Sequence, residues 1–109
     1  MEIKESDWKV FRRLHSVALE RYCRRVLQEV RVAAECKGDY HDCYRRLYRL
    51  IRERDKTMAA AFDDPRRSTV FILLANMIDE ELLTEEELKQ FSLEAQDRIE
   101  VINELRRSL

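Results

Sequence analysis

The chain has 109 residues, 45% of them hydrophobic and 39% charged, with a single Gly, a single Pro and a net charge of −1. So few turn-forming residues exclude a hairpin-rich β fold, and near-zero net charge argues against a generic polyanion binder or a charged membrane-surface protein. What remains is one soluble all-α domain, spanning 1–109, with short connections.

Residues 1–7 mix charges and lead into no apolar segment, so no secretory signal is expected and the cytoplasm is the expected compartment. Ser6 is the expected N-cap of a first helix running to about Cys36, where Lys37-Gly38 supplies a stop. Its apolar residues form two faces: Val10, Phe11, Leu14, Val17 and Ala18 on one, and Leu19, Tyr22, Cys23, Val26, Val30 and Ala33 on the other. An offset of about a third of a turn predicts different neighbours along its length, or a kink near Ala18–Glu20.

Asp39 is the expected cap of a second helix, Tyr40 to Phe62, with an apolar stripe at Tyr40, Tyr44, Leu47, Ile51, Met58 and Phe62. Asp55 interrupts the stripe, and no second acid or His at helical spacing makes it a catalytic carboxylate. Across the helix run Arg45, Arg49, Arg52 and Lys56, at spacings of 4, 3 and 4, a row able to track phosphates with Tyr48 beside it as a stacking ring. The competing expectation pairs this row with the acidic segment Asp79–Glu87.

Asp64 and Pro65 are read as N-cap and first residue of a third helix ending near Leu82. Arg66 and Arg67 in a first turn oppose the helix dipole and form a candidate anion site, with Asp63 and Asp64 as the simpler partners. The core of that helix, Val70–Ile78, is apolar nearly all round, yet its nine residues are far short of the roughly 20 that span a bilayer. It is therefore expected at the centre of the fold, with Thr69, Asn76 and Glu80 as its solvent-facing strip and Ile72 and Leu73 beside that strip as a candidate interface for a protein partner or a homodimer.

Thr84 and Glu87 form a capping box with Leu83 and Leu88 as its staple, opening a short helix to about Gln90 or Phe91. Ser92 caps the last helix, to about Arg107, with Ala95, Ile99, Ile102 and Leu105 inward. The expected architecture is a compact bundle of about five helices, a long antiparallel N-terminal hairpin packed around the apolar third helix.

Chemistry is sparse. Cys36, His41 and Cys43 surround the first turn, but their loose spacing and the want of a fourth ligand predict reduced, incidental thiols rather than zinc. His15 is expected at the surface or as a helix cap. One Gly allows no phosphate loop or dinucleotide fingerprint, so neither cofactor nor enzymatic activity is expected. Charge is unevenly spread: residues 1–62 carry 15 Lys/Arg against 10 Asp/Glu, a balance of +5, and residues 63–109 carry 6 against 12, a balance of −6. The leading functional expectation is a non-enzymatic cytoplasmic adaptor or regulator. The alternatives are a nucleic-acid binder using the row on helix two, or an anion binder at Arg66 and Arg67.

Overall fold

A computed structural model of the chain describes residues 3–109. It contains α1 (Glu5–Ala33), α2 (Tyr40–Phe62), α3 (Val70–Asp79), α4 (Glu85–Leu88) and α5 (Leu93–Arg107), with no strand among the described residues. The first two helices form the antiparallel hairpin, and α3 contacts both of them and α5.

Helix lengths decide the shape. At 1.5 Å per residue α1 is about 43 Å long and α2 about 35 Å, whereas α3 is only about 15 Å. A helix that short covers one end of the hairpin and leaves the other bare. The core follows this limit: Phe11, Leu14, Ala18 and Tyr22 of α1, Ala61 and Phe62 of α2, and Val70, Leu73, Leu74 and Met77 of α3 meet Leu82, Phe91, Ala95 and Ile99. On α1 the fully buried apolar positions stop at Tyr22. Beyond it the hairpin continues as a two-helix stem projecting from a compact body, and the molecule measures 54 × 30 × 24 Å. Its radius of gyration, 16.8 Å, exceeds the roughly 13 Å of a spherical domain this long.

The two faces of α1 divide between body and stem without a break in the helix. Phe11, Leu14 and Ala18 enter the core, while Val26, Val30 and Ala33 are half-buried in the stem. The helix starts at Glu5 with Lys4, not Ser6, at the N-cap, and stops at Ala33, three residues before the expected Cys36. Gly38 (φ 134°) and Asp39 (φ 49°) both take positive φ to reverse the chain, and the Asp39 carboxylate accepts from the Asp42 N–H. Cys36 and Cys43 are joined as a disulfide across this turn, with their Cα atoms 6.5 Å apart. That corrects the expectation of three reduced thiols. The turn brings two residues seven apart in sequence together, a proximity invisible to cysteine parity; Cys23 stays free.

Helix α3 begins at Val70, not at Pro65. Asp64 has φ 55°, and no backbone N–H of residues 66–68 bonds to its side chain. The Thr69 hydroxyl accepts from the Arg66 N–H at 3.0 Å and lies 2.9 Å from the Asp64 carbonyl, holding residues 64–69 as a loop. At its other end the helix stops at Asp79, before the expected Leu82, and Glu81 takes φ 57° as the chain turns away. The cap predictions further on hold: the Thr84–Glu87 capping box is complete, and Ser92 accepts from the Ala95 N–H. Helix α4 is shorter than expected, ending at Leu88.

Three polar side chains are anchored in or beside the core. Asp7 is 3% exposed, and its two carboxylate oxygens accept from the Ser92 N–H (2.8 Å) and hydroxyl (2.7 Å), tying the start of α1 to the cap of α5. Tyr22 donates to the Arg54 carbonyl at 2.9 Å, and burial raises its phenol pKa. A ring nitrogen of His15 lies 2.9 Å from the Phe62 carbonyl and caps the last turn of α2 within a Trp8–Phe11–His15–Phe62 aromatic cluster.

Candidate interaction surface

The stem carries the exposed apolar surface. On α2, Tyr40, Tyr44, Tyr48 and Ile51 are 73%, 67%, 57% and 46% exposed, and Leu27 on α1 is likewise open. This corrects the expected core stripe of α2 at Tyr40, Tyr44 and Ile51, whereas Leu47, Met58 and Phe62 face inward as expected. In the stem, Cys43, Leu50 and Arg54 turn inward beside Leu47. At 100° per residue, Tyr44 and Ile51 lie about 160–180° from Ala60, whose carbonyl accepts from the Asn76 amide of α3 at 2.6 Å. The tyrosines thus point away from the body, with Asp55 exposed among them as expected.

Arg45, Arg49, Arg52 and Lys56 are all exposed beside this stripe. Among the described residues no carboxylate lies within 4 Å of any of them. Arg52 instead covers the Tyr48 ring, 5.6 Å from its centroid. The neighbouring Arg46 pairs with Asp42, and Arg54 reaches across the stem to Glu29 at 2.7 Å, holding that carboxyl below its ordinary pKa.

Two carboxylates of the acidic segment expected to neutralise the row, Asp79 and Glu87, are engaged elsewhere. Arg21 forks onto Glu87 at 2.6 and 2.9 Å and also donates to the Leu82 carbonyl, so Glu87, already bonded within its capping box, has its pKa lowered to about 2. Arg25 donates to the Glu80 carbonyl, and Arg106 pairs with Asp79 at 2.6 Å. The basic half does meet the acidic half, but through α1 and not through the row on α2.

The other candidates are dispersed. Arg66 pairs with Asp64 at 2.6 Å; Arg67 pairs with Glu5 at 2.7 Å and stacks over Trp8, holding the Glu5 carboxyl below its ordinary range. The two guanidinium groups therefore face separate carboxylates, and neither belongs to the first turn of α3. Ile72 is exposed at 57%, but Leu73 is 4% exposed and belongs to the core, which corrects its place in the candidate interface. Asn76, expected to face solvent, faces α2 instead, because α2 crosses on that side. On α5, Ala95 and Ile99 are buried as expected, but Leu105, about 120° round the helix from Ile99, is 62% exposed. Cys36 and Cys43 are occupied with each other, and no group of three or more metal-ligating side chains occurs among the described residues. No helix there is long and apolar enough to cross a membrane.

Sequence reasoning found the row but not the stem. The signal available was the length difference between the first two helical patterns and the third. A scan against family models finds no match to this chain, and searches of curated proteins and of solved structures find none either.

Proposed function

We propose that the chain is a non-enzymatic protein–protein interaction module, an adaptor or regulator, whose working surface is the outward face of the stem. The observation that carries this reading is the exposure of Tyr40, Tyr44, Tyr48 and Ile51 on a projection the core does not need. Tyrosines with a bordering arginine row are the composition that interfaces favour, since they bring contact area at low entropic cost. The test compares proteins captured by the wild-type chain with those captured by a Tyr44→Ser/Ile51→Ser variant of equal thermal stability. Loss of specific partners with the fold intact supports the reading; identical capture overturns it.

The row favours a second reading, nucleic-acid binding, because its four cations are unpaired and Tyr48 lies beside them. It predicts affinity for a generic duplex or single strand that falls steeply with salt and is lost in Arg49→Glu. Absence of binding at low salt removes it. The cytoplasm remains the proposed compartment. It is reducing, so a Cys36–Cys43 disulfide that persists in the source cell, read by alkylation and mass spectrometry, would contradict the location.

A further inference from the structure

The outward face of α5 is the counterpart of the outward face of the stem. Val101 and Leu105 are 55% and 62% exposed, and beside them Asp97, Glu100 and Glu104 are exposed with no cation within 4 Å among the described residues. On α2 the row Arg49, Arg52 and Lys56 has the same spacing of 3 and 4 as Asp97, Glu100 and Glu104. Each face is therefore half apolar and half charged, with opposite signs.

The handedness also fits. Viewed from the N-terminus at 100° per residue, the cations lie clockwise of the tyrosine stripe on α2, and the acids lie anticlockwise of Val101 and Leu105 on α5. Two such helices set face to face and parallel, with each cation level with an acid, bring Ile51 within about 3 Å along the axis of Val101 and leave the tyrosines beyond it. The two faces belong to opposite ends of the charge asymmetry, and within one molecule they point outward from different parts of the fold.

We propose that the stem face of one molecule docks on the α5 face of a second copy, with Arg49, Arg52 and Lys56 against Asp97, Glu100 and Glu104 and Ile51 against Val101. This rests on the reading of the stem as an interaction surface and names its occupant. Contact between one helix and another is small, at the weak and transient end of protein interfaces, so association appears at high concentration and weakens with salt.

The contact joins two different faces, so the test uses two variants, Arg49→Glu/Arg52→Glu and Asp97→Arg/Glu104→Arg. Sedimentation equilibrium of the wild type at low salt, up to about millimolar, should give a mass rising above the 13.2 kDa of one chain. Each variant alone should stay at 13.2 kDa. An equimolar mixture with unchanged melting curves should still remain dissociated if the unmutated faces do not fit, whereas the proposal predicts pairs of about 26 kDa, because the second variant keeps its stem and the first keeps its α5 face. A monomeric wild type, wild-type association by either variant alone, or a monomeric mixture would each overturn the pairing. A monomeric wild type that still captures a different protein through Tyr44 and Ile51 would overturn the self-docking alone.

Discussion

Glu87 concentrates several roles in one carboxylate: it completes the capping box of α4 and receives the Arg21 fork from the stem's base. Its pKa, lowered to about 2, makes it a stability switch with a defined sign. A carboxyl with a depressed folded-state pKa contributes stability above its unfolded value near 4.5, and that contribution is lost as pH falls toward about 2. Glu87→Gln keeps a side chain able to close the capping box but removes the charge, so it should cost about 1–2 kcal/mol at pH 7 after screening at the half-exposed Arg21. Urea titrations of both proteins should show that gap closing between pH 4.5 and 2; a gap independent of pH would assign the loss to something other than the ion pair. Asp7 acts by burial instead. Asp7→Ala removes both acceptors of Ser92 and should cost about 1–3 kcal/mol, with the cap of α5 the first part to open in hydrogen exchange. The Thr84–Glu87 box was legible in the sequence because its partners are three residues apart. The Asp7–Ser92 pair, 85 residues apart, was not.

Among the elements, α3 supplies the core and the stem supplies surface. Leu74 and Met77 are fully buried, and Leu74→Ala should lower stability by about 2–5 kcal/mol by leaving a cavity. Tyr44→Ser/Ile51→Ser removes more apolar area but opens no cavity, so its melting temperature should stay within a few degrees of wild type; a loss comparable to Leu74→Ala would mean that the stem face is buried after all. Breaking the Cys36–Cys43 link should cost about 2 kcal/mol by releasing the short loop it closes in the unfolded chain, readable as a lower urea midpoint under reducing conditions. The existence and order of the elements were readable from periodicity and caps, and α2 and α5 match their expected bounds. On α2 the inward placing of Leu47, Met58 and Phe62 was readable, but the outward turn of Tyr40 and Tyr44 was not, because a tyrosine with apolar body and polar tip fits either a core stripe or an exposed interface. The start of α3 was misread for a local reason: Asp64-Pro65 has the composition of a helix start, but the Thr69 hydroxyl bonds back to residues 64 and 66 and holds the segment as a loop.

For the whole molecule, the contrast lies between the acidic segment, part of which is tied to α1 and α5, and the row on the stem, which has no carboxylate partner among the described residues. Arg21, Arg25 and Arg106 bind the acidic segment into the body, and the row from Arg45 to Lys56 is left on a projection. The charge division at residue 62 was plain in the sequence, but pairing depends on which helices run alongside each other, and composition cannot order the neighbours. The projection itself should appear in solution scattering as a radius of gyration near 16.8 Å for the monomer, against about 13 Å if the stem folded back on the body.

The most direct test of the stem as a protein-binding surface is photo-cross-linking in the source cell, with a photoreactive phenylalanine analogue in place of Tyr44 and a control in place of the exposed Glu86. The account predicts protein adducts from position 44, whether to a further copy or to another chain, and none of the same mass from position 86. No adduct from position 44, or adducts to nucleic acid alone, would contradict it.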